Sequence, residues 1–192
     1  MRRFRRRPRR RQAPARRHRQ FGDYKLIDQR PPAAADRSQA GHWEGDLIIG
    51  VAHASAIITL VERTSRLTVL GALPHRRTAA DVRGVLAEIL APVPAGLRRS
   101  LTWDQGIEMA DWPGIEADLD LEVFFCHPHS PWERPSNEHT NRQLRYWLPK
   151  KRDLSIYPQD TLNRIAAVLN TLPRRLLGWQ TPQALYDQLA LR

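Results

Sequence analysis

Asp46 opens the apolar run DLIIGV (46–51), which reads as a strand buried on both faces. A carboxylate there is costly to bury unless a cation or hydrogen-bond donors balance it. Two more acids stand at the ends of expected elements. Asp104 closes the short apolar stretch in SLTWDQG, with Gly106 permitting a sharp turn, and Glu138 lies in SPWERPSNEHTN at the start of an expected helix. Carboxylate oxygens are the ligands Mg²⁺ prefers, and a site with few protein ligands leaves positions for water and phosphate. Two such ions about 3.5–4 Å apart stabilise both the attacking and the leaving oxygen of an in-line displacement at phosphorus. Taken singly, each acid also has an ordinary explanation, since Asp starts turns after strands and a helix dipole favours acids in its first turn. The metal reading depends on whether a fold gathers all three.

The elements that must do so are legible from periodicity. Three apolar runs, 46–51, 56–62 and 67–73, are joined too tightly for helical crossovers, so they are expected as antiparallel strands. A helix over 79–90 follows, capped by Thr78 and with Val82, Val85, Leu86, Ile89 and Leu90 on one face. Strands at 100–103 and 121–126 flank a weak helix at 113–119, and this alternation predicts parallel pairing. Helices over 135–147, 158–171 and 182–190 complete the chain, the last with Thr181 as N-cap and Pro182 at its first position. The order β-β-β-α-β-α-β-α predicts an α/β, ribonuclease-H-like fold, a mixed five-stranded sheet flanked by helices. In that topology strands one and four are neighbours, and the helix carrying Glu138 crosses their ends.

The 192 residues suit one domain with a real core, carrying a formal charge of +11. The excess is all in one place: residues 1–20 hold 11 Arg and no acid, while 21–192 balance 20 basic against 20 acidic side chains. Residues 1–20 are expected as a disordered Arg-rich arm, 21–40 as a linker and 41–192 as the folded domain. Such an arm suits phosphate contact. Cys126 is the only cysteine, which excludes an internal disulfide. No run is long and apolar enough to cross a bilayer and the N-terminus lacks a secretory core, so the reading is a cytoplasmic, nucleoid-associated protein without a membrane partner. Cys126, His127, His129 and His139 lack the paired spacing of a zinc site. No Gly-rich phosphate loop is present, so no nucleotide cofactor is implied.

Five blocks make the reading specific: GHWEGDLIIG (41–50), TLVERTSR (59–66), SLTWDQGIEMAD (100–111), SPWERPSNEHTN (130–141) and LGWQTP (177–182). With them the chain resembles the catalytic part of bacterial insertion-sequence transposases of the IS-thirty family, which use an Asp-Asp-Glu triad on a ribonuclease-H-like, integrase-like core. The 33 residues between Asp104 and Glu138 match the family interval. The resemblance implies Asp46, Asp104 and Glu138 as catalytic residues and ligands of two Mg²⁺ ions, with Mn²⁺ able to substitute and Asp46 bridging. It implies metal-dependent cleavage and strand transfer of DNA (element ends and target) by a homo-oligomer. Arg134 and Arg142 are candidate DNA contacts, and Arg145 stands seven residues after Glu138, where related enzymes carry a basic residue. Asn137 and Asn141 fall on family Asn positions that orient the site or contact DNA. The arm residues Arg5, Arg6, Arg7, Arg9, Arg10 and Arg11 are further DNA candidates. Trp43, Trp103 and Trp132 are expected as packing supports beside the functional segments.

The family's helix-turn-helix region, which reads the element ends, is expected upstream of this segment and is absent from it. Pro135 replaces a usual Gly, Ile107 a usual Lys and Leu172 a usual Arg. The alternative reading is a catalytically silent remnant that only binds DNA; a ribonuclease-H-type nuclease is a third.

Overall fold

The computed structural model describes residues 23–73 and 77–191. The arm, with Arg5, Arg6, Arg7, Arg9, Arg10 and Arg11, lies outside the described residues. Strands β1 (Lys25–Leu26), β2 (His42–Ile49), β3 (Ala56–Glu62), β4 (Thr68–Leu73), β5 (Ser100–Trp103) and β6 (Glu122–Phe125) form one sheet. Its order is β1-β6-β5-β2-β3-β4. As the connection lengths predict, β2, β3 and β4 pair antiparallel, whereas β5 pairs parallel with β2 and with β6. The sixth strand comes from the stretch expected as linker: β1 adds to the edge of β6 in parallel. Two residues of ladder carry too little pattern to be seen in sequence.

Helices α1 (Pro32–Ala35), α2 (Ala79–Leu90), α3 (Trp112–Leu119), α4 (Pro135–Leu144), α5 (Gln159–Asn170) and α6 (Pro182–Ala190) complete the fold. Thr78 and Thr181 cap α2 and α6 through their hydroxyls, the first in a reciprocal box with Asp81. Two cores result. On one face Trp43, Leu60, Leu101, Trp103 and Phe125 meet Val82, Leu86 and Leu90 of α2 and Ile115 of α3. On the other, Ile48, Ile57 and Leu70 meet Leu144 of α4 and Leu162, Ile165 and Leu169 of α5. Helix α4 ends earlier than expected because the chain tightens into i→i+3 bonds from Tyr146 to Gln143 and from Trp147 to Leu144. That tightening turns Leu148 into the second core.

β2 begins at His42, four residues before the apolar run. His42 and Glu44 are buried yet satisfied, His42 by Ser100 at 2.7 Å, so polar residues extend the strand inward without breaking it. Edge strand β4 is closed by α5 through two carboxamides. Asn170 bonds the Thr68 N–H and C=O, and Gln159 bonds the Ala72 N–H and Leu70 C=O, all at 2.8 Å. They occupy groups that would otherwise template another strand.

Candidate active site

Strand register performs the first step of assembly. β2 and β5 run parallel with Glu44 opposite Thr102. Asp46 follows two residues on in β2 and Asp104 comes directly after β5, and one guanidinium reaches both carboxylates. Gly45 serves that approach: a Cβ there would meet the Trp103 ring at 2.1 Å, so only glycine lets Trp103 lie across β2. Trp43 and Trp103 are fully buried packing supports, as expected. Trp132 is not; it is 69 % exposed.

The second step is the docking of α4. Asn137 is fully buried in its first turn. Its Nδ2 donates to the carbonyls of Glu44 at 2.9 Å and Thr59 at 3.0 Å, and its Oδ1 accepts from the Thr59 hydroxyl at 2.9 Å. Its backbone N–H donates to Glu44 Oε2 at 2.9 Å. Glu44 is buried too and forms an ion pair with Arg63, whose Nε donates to the Ala34 carbonyl at 2.8 Å. One network thus ties α1, β2, β3 and α4 together. Every hydrogen bond of the Asn137 side chain is with the sheet.

The third step is electrostatic. A single guanidinium spans both aspartates: Arg134 Nη1 lies 3.2 Å from Asp46 Oδ1, and Nη2 lies 3.4 Å from Asp104 Oδ2. Nη1 also donates to the Gly45 carbonyl at 2.6 Å. Burial works against the Arg134 charge, but Asp46 and Asp104 outweigh it and raise its pKa. Arg134, expected as a DNA contact, is here an internal counter-ion. Asn141 donates from Nδ2 to Asp46 Oδ2 at 2.9 Å. Arg145 lies on the same side, half-buried; burial lowers its pKa while the charge of Asp46 opposes the shift. Arg142 is exposed and reaches Glu138 at 3.5 Å.

Glu138 does not join the aspartates in this conformation. Its side chain is 57 % exposed and turned to Arg142. Among the described residues no three His, Cys, Asp or Glu side chains stand close enough to hold a metal ion. The aspartate pair nevertheless fits a divalent cation. Asp104 Oδ1 is buried with no hydrogen-bond partner. Burial raises the Asp104 pKa; Arg134 pulls it down, and Glu108 and Asp46 push it up further. One guanidinium thus serves two carboxylates, and both donors are the hard oxygens that Mg²⁺ takes. Cys126, in contrast, is buried with its thiol pushed up to about 12 by burial, which makes it a core residue without thiolate character.

The integrase core domain family matches residues 36–131, a segment that holds Asp46 and Asp104 and stops before Glu138. The chain belongs to the integrase core domain family. It is 44 % identical over 170 residues to the transposase for insertion sequence element IS1086 of Cupriavidus metallidurans, covering 88 % of this chain and 50 % of that protein. It is 39 % identical over 162 residues to transposase InsI for IS30A of Escherichia coli, covering 84 % of this chain and 42 % of the relative. The integrase core therefore spans about half the length of the curated relatives it matches. Among solved structures, the catalytic core domain of BIV integrase superposes with a TM-score of 0.57 at 20 % identity, covering 78 % of this chain and 95 % of that one. A simian T-cell lymphotropic virus intasome, in complex with PP2A regulatory subunit B56 gamma, gives a TM-score of 0.60 at 19 % identity, covering 79 % of this chain and 54 % of the other. These likenesses establish the ribonuclease-H-like fold.

Sequence reasoning missed the residues that hold this integrase core's site in place: Glu44, Thr59, Arg63 and Glu62. Glu62 is buried and accepts from Gly41 N at 3.0 Å, Thr64 N at 3.0 Å and Ser65 N at 2.6 Å, which fixes the turn after β3. A signal existed for Glu44, which precedes Asp46 by two positions and so shares its face of the strand.

Proposed function

We propose that this chain is the catalytic domain of an insertion-sequence transposase that cleaves DNA at an element end and joins the freed 3′-hydroxyl to target DNA. The observation that carries this reading is the pair Asp46 and Asp104, from neighbouring strands, under one guanidinium, with a buried carboxylate oxygen lacking a partner. Asp46, Asp104 and Glu138 would hold the divalent cations, Mg²⁺ with Mn²⁺ able to replace it, two in number. When bound, such ions stabilise charge on the attacking and leaving oxygens of an in-line displacement at phosphorus.

The chain's own residues do the positioning. Asn141 fixes the rotamer of Asp46, and Asn137 seats the helix turn that carries Arg134 and Glu138. Glu138 must turn from Arg142 toward the aspartates, and a 3.5 Å contact between two exposed side chains opposes that little. Arg142 and Arg145, together with the arm, supply positive charge for the phosphate backbone. In the first reaction water attacks phosphorus and the 3′-oxygen leaves with a proton. In the second the 3′-hydroxyl attacks a target phosphodiester, and one P–O bond replaces another. DNA is the partner, and assembly of several copies on it is part of the proposal.

The test incubates the full chain with end-containing duplex DNA and Mg²⁺ or Mn²⁺, in parallel with Asp46→Asn, Asp104→Asn and Glu138→Gln. Nicking and joining are expected from the parent and from none of the variants. Cleavage that survives any one of these changes removes that residue from the assignment.

A further inference from the structure

Two arginines outside the aspartate cluster converge on one hydroxyl. Arg37 Nη2 lies 3.3 Å from Ser136 Oγ, and Arg66 Nη1 donates to the same oxygen. Ser136 is buried in the first turn of α4, two residues before Glu138. The two guanidiniums arrive from distant parts of the chain, one from the segment after α1 and one from the turn after β3. Both residues hold left-handed backbone, with φ of 64° and 67°. Such conformations are costly for side-chain-bearing residues and persist only where surrounding structure enforces them.

Charge balance makes the arrangement unusual. Among the described residues neither Arg37 nor Arg66 reaches a carboxylate within ion-pair distance, and the Nε of Arg66 is buried without a partner. The acids nearest in charge are committed elsewhere. Glu44 is paired with Arg63, and Glu62 is spent on the turn after β3. A neutral hydroxyl offsets neither charge, and Glu44 and Glu62, which act on Arg37 through space, also serve Arg63 and the turn after β3, so an anion seated on the two guanidiniums would gain from both. Ser136 also stands in the first turn of α4, at the positive end of the helix dipole, where the Asn137 N–H is already taken by Glu44 Oε2.

We propose that Arg37, Arg66 and Ser136 form a cradle for one phosphodiester of the DNA strand, seated at the N-terminal end of α4 beside the aspartate pair. The proposal rests on the DNA-processing reading above and gives that reading an anchor point. Arg66 fills a role in the TLVERTSR block that strand and turn geometry do not require. The cradle lies on the same short helix turn as Arg134 and Glu138, so a phosphate bound there fixes the strand's register against the carboxylates.

The experiment measures duplex DNA binding by the full chain across a salt series, with chelator present so that no cleavage occurs. The paired variant Arg37→Gln/Arg66→Gln is compared with the parent and with Arg37→Lys/Arg66→Lys. Loss of one phosphate contact makes the slope of log affinity against log salt shallower by about 0.9 and weakens binding about tenfold near 0.1 M salt. The lysine pair, which keeps both charges, retains the parent slope. Thermal melting monitors the fold, and single Arg66→Gln serves if the paired variant does not fold. Binding by the parent with an unchanged slope in the glutamine variants overturns the cradle alone. Absence of DNA binding by the parent overturns the DNA-processing reading and the cradle with it.

Discussion

Replacing Asn137 by alanine separates two roles that sequence alone leaves open. If the side chain contacts DNA, the change weakens DNA binding and leaves the fold intact. The structure assigns the opposite outcome. The amide makes three hydrogen bonds, two donated to the Glu44 and Thr59 carbonyls and one accepted from the Thr59 hydroxyl, all in a fully buried setting. Each such bond contributes about 0.5–1.5 kcal/mol net, so the three together give roughly 2–4 kcal/mol. A domain of this size is stable by only about 5–15 kcal/mol, so the loss is a large fraction of the total. Urea unfolding monitored by tryptophan fluorescence reads it directly as a lower midpoint at unchanged slope. The same loosening frees the first turn of α4, so DNA cleavage should fall even under conditions where the variant remains folded. An Asn137→Ala protein that is destabilised by less than about 1 kcal/mol, yet binds DNA poorly, would refute the positioning argument.

Two further outcomes follow from the same network. Arg134→Met should melt below the parent in chelator, by roughly 2 kcal/mol, because the aspartates lose their shared counter-ion; Asp104 at 48 % side-chain exposure keeps the cost below that of a fully buried pair. Millimolar Mn²⁺ should recover more stability in the variant than in the parent, and equal recovery in both would show that guanidinium and metal do not compete. His42 is the acid-sensitive group of the sheet: burial, then the charges of Arg30, Arg99 and Arg63, push its pKa down to about 4. A histidine lowered in the folded state stabilises above its unfolded pKa near 6.5 and loses that contribution as pH falls toward 4, about 3 kcal/mol in all. Urea midpoints across that range should drop in the parent and drop less in His42→Gln, and parallel curves would exclude His42 as the cause.

The sequence by itself determined what is local or periodic. The antiparallel hairpins follow from connections too short for a crossover, the helices from their apolar spacing and their caps at Thr78 and Thr181, and the meeting of Asp46 with Asp104 from the order of the strands. Tertiary structure decided everything that depends on which distant groups share a proton or a charge. It placed Arg134 between the two aspartates, buried Asn137 in the sheet, and set Arg37 and Arg66 on one serine, whereas the Glu138–Arg142 contact is an i,i+4 pair that helix spacing alone allows. The physical reason is that side-chain periodicity reports a residue's face and depth. The partner of a polar group is instead fixed by packing between segments as far apart as β2 and α4, and that pairing leaves no mark on the residues in between.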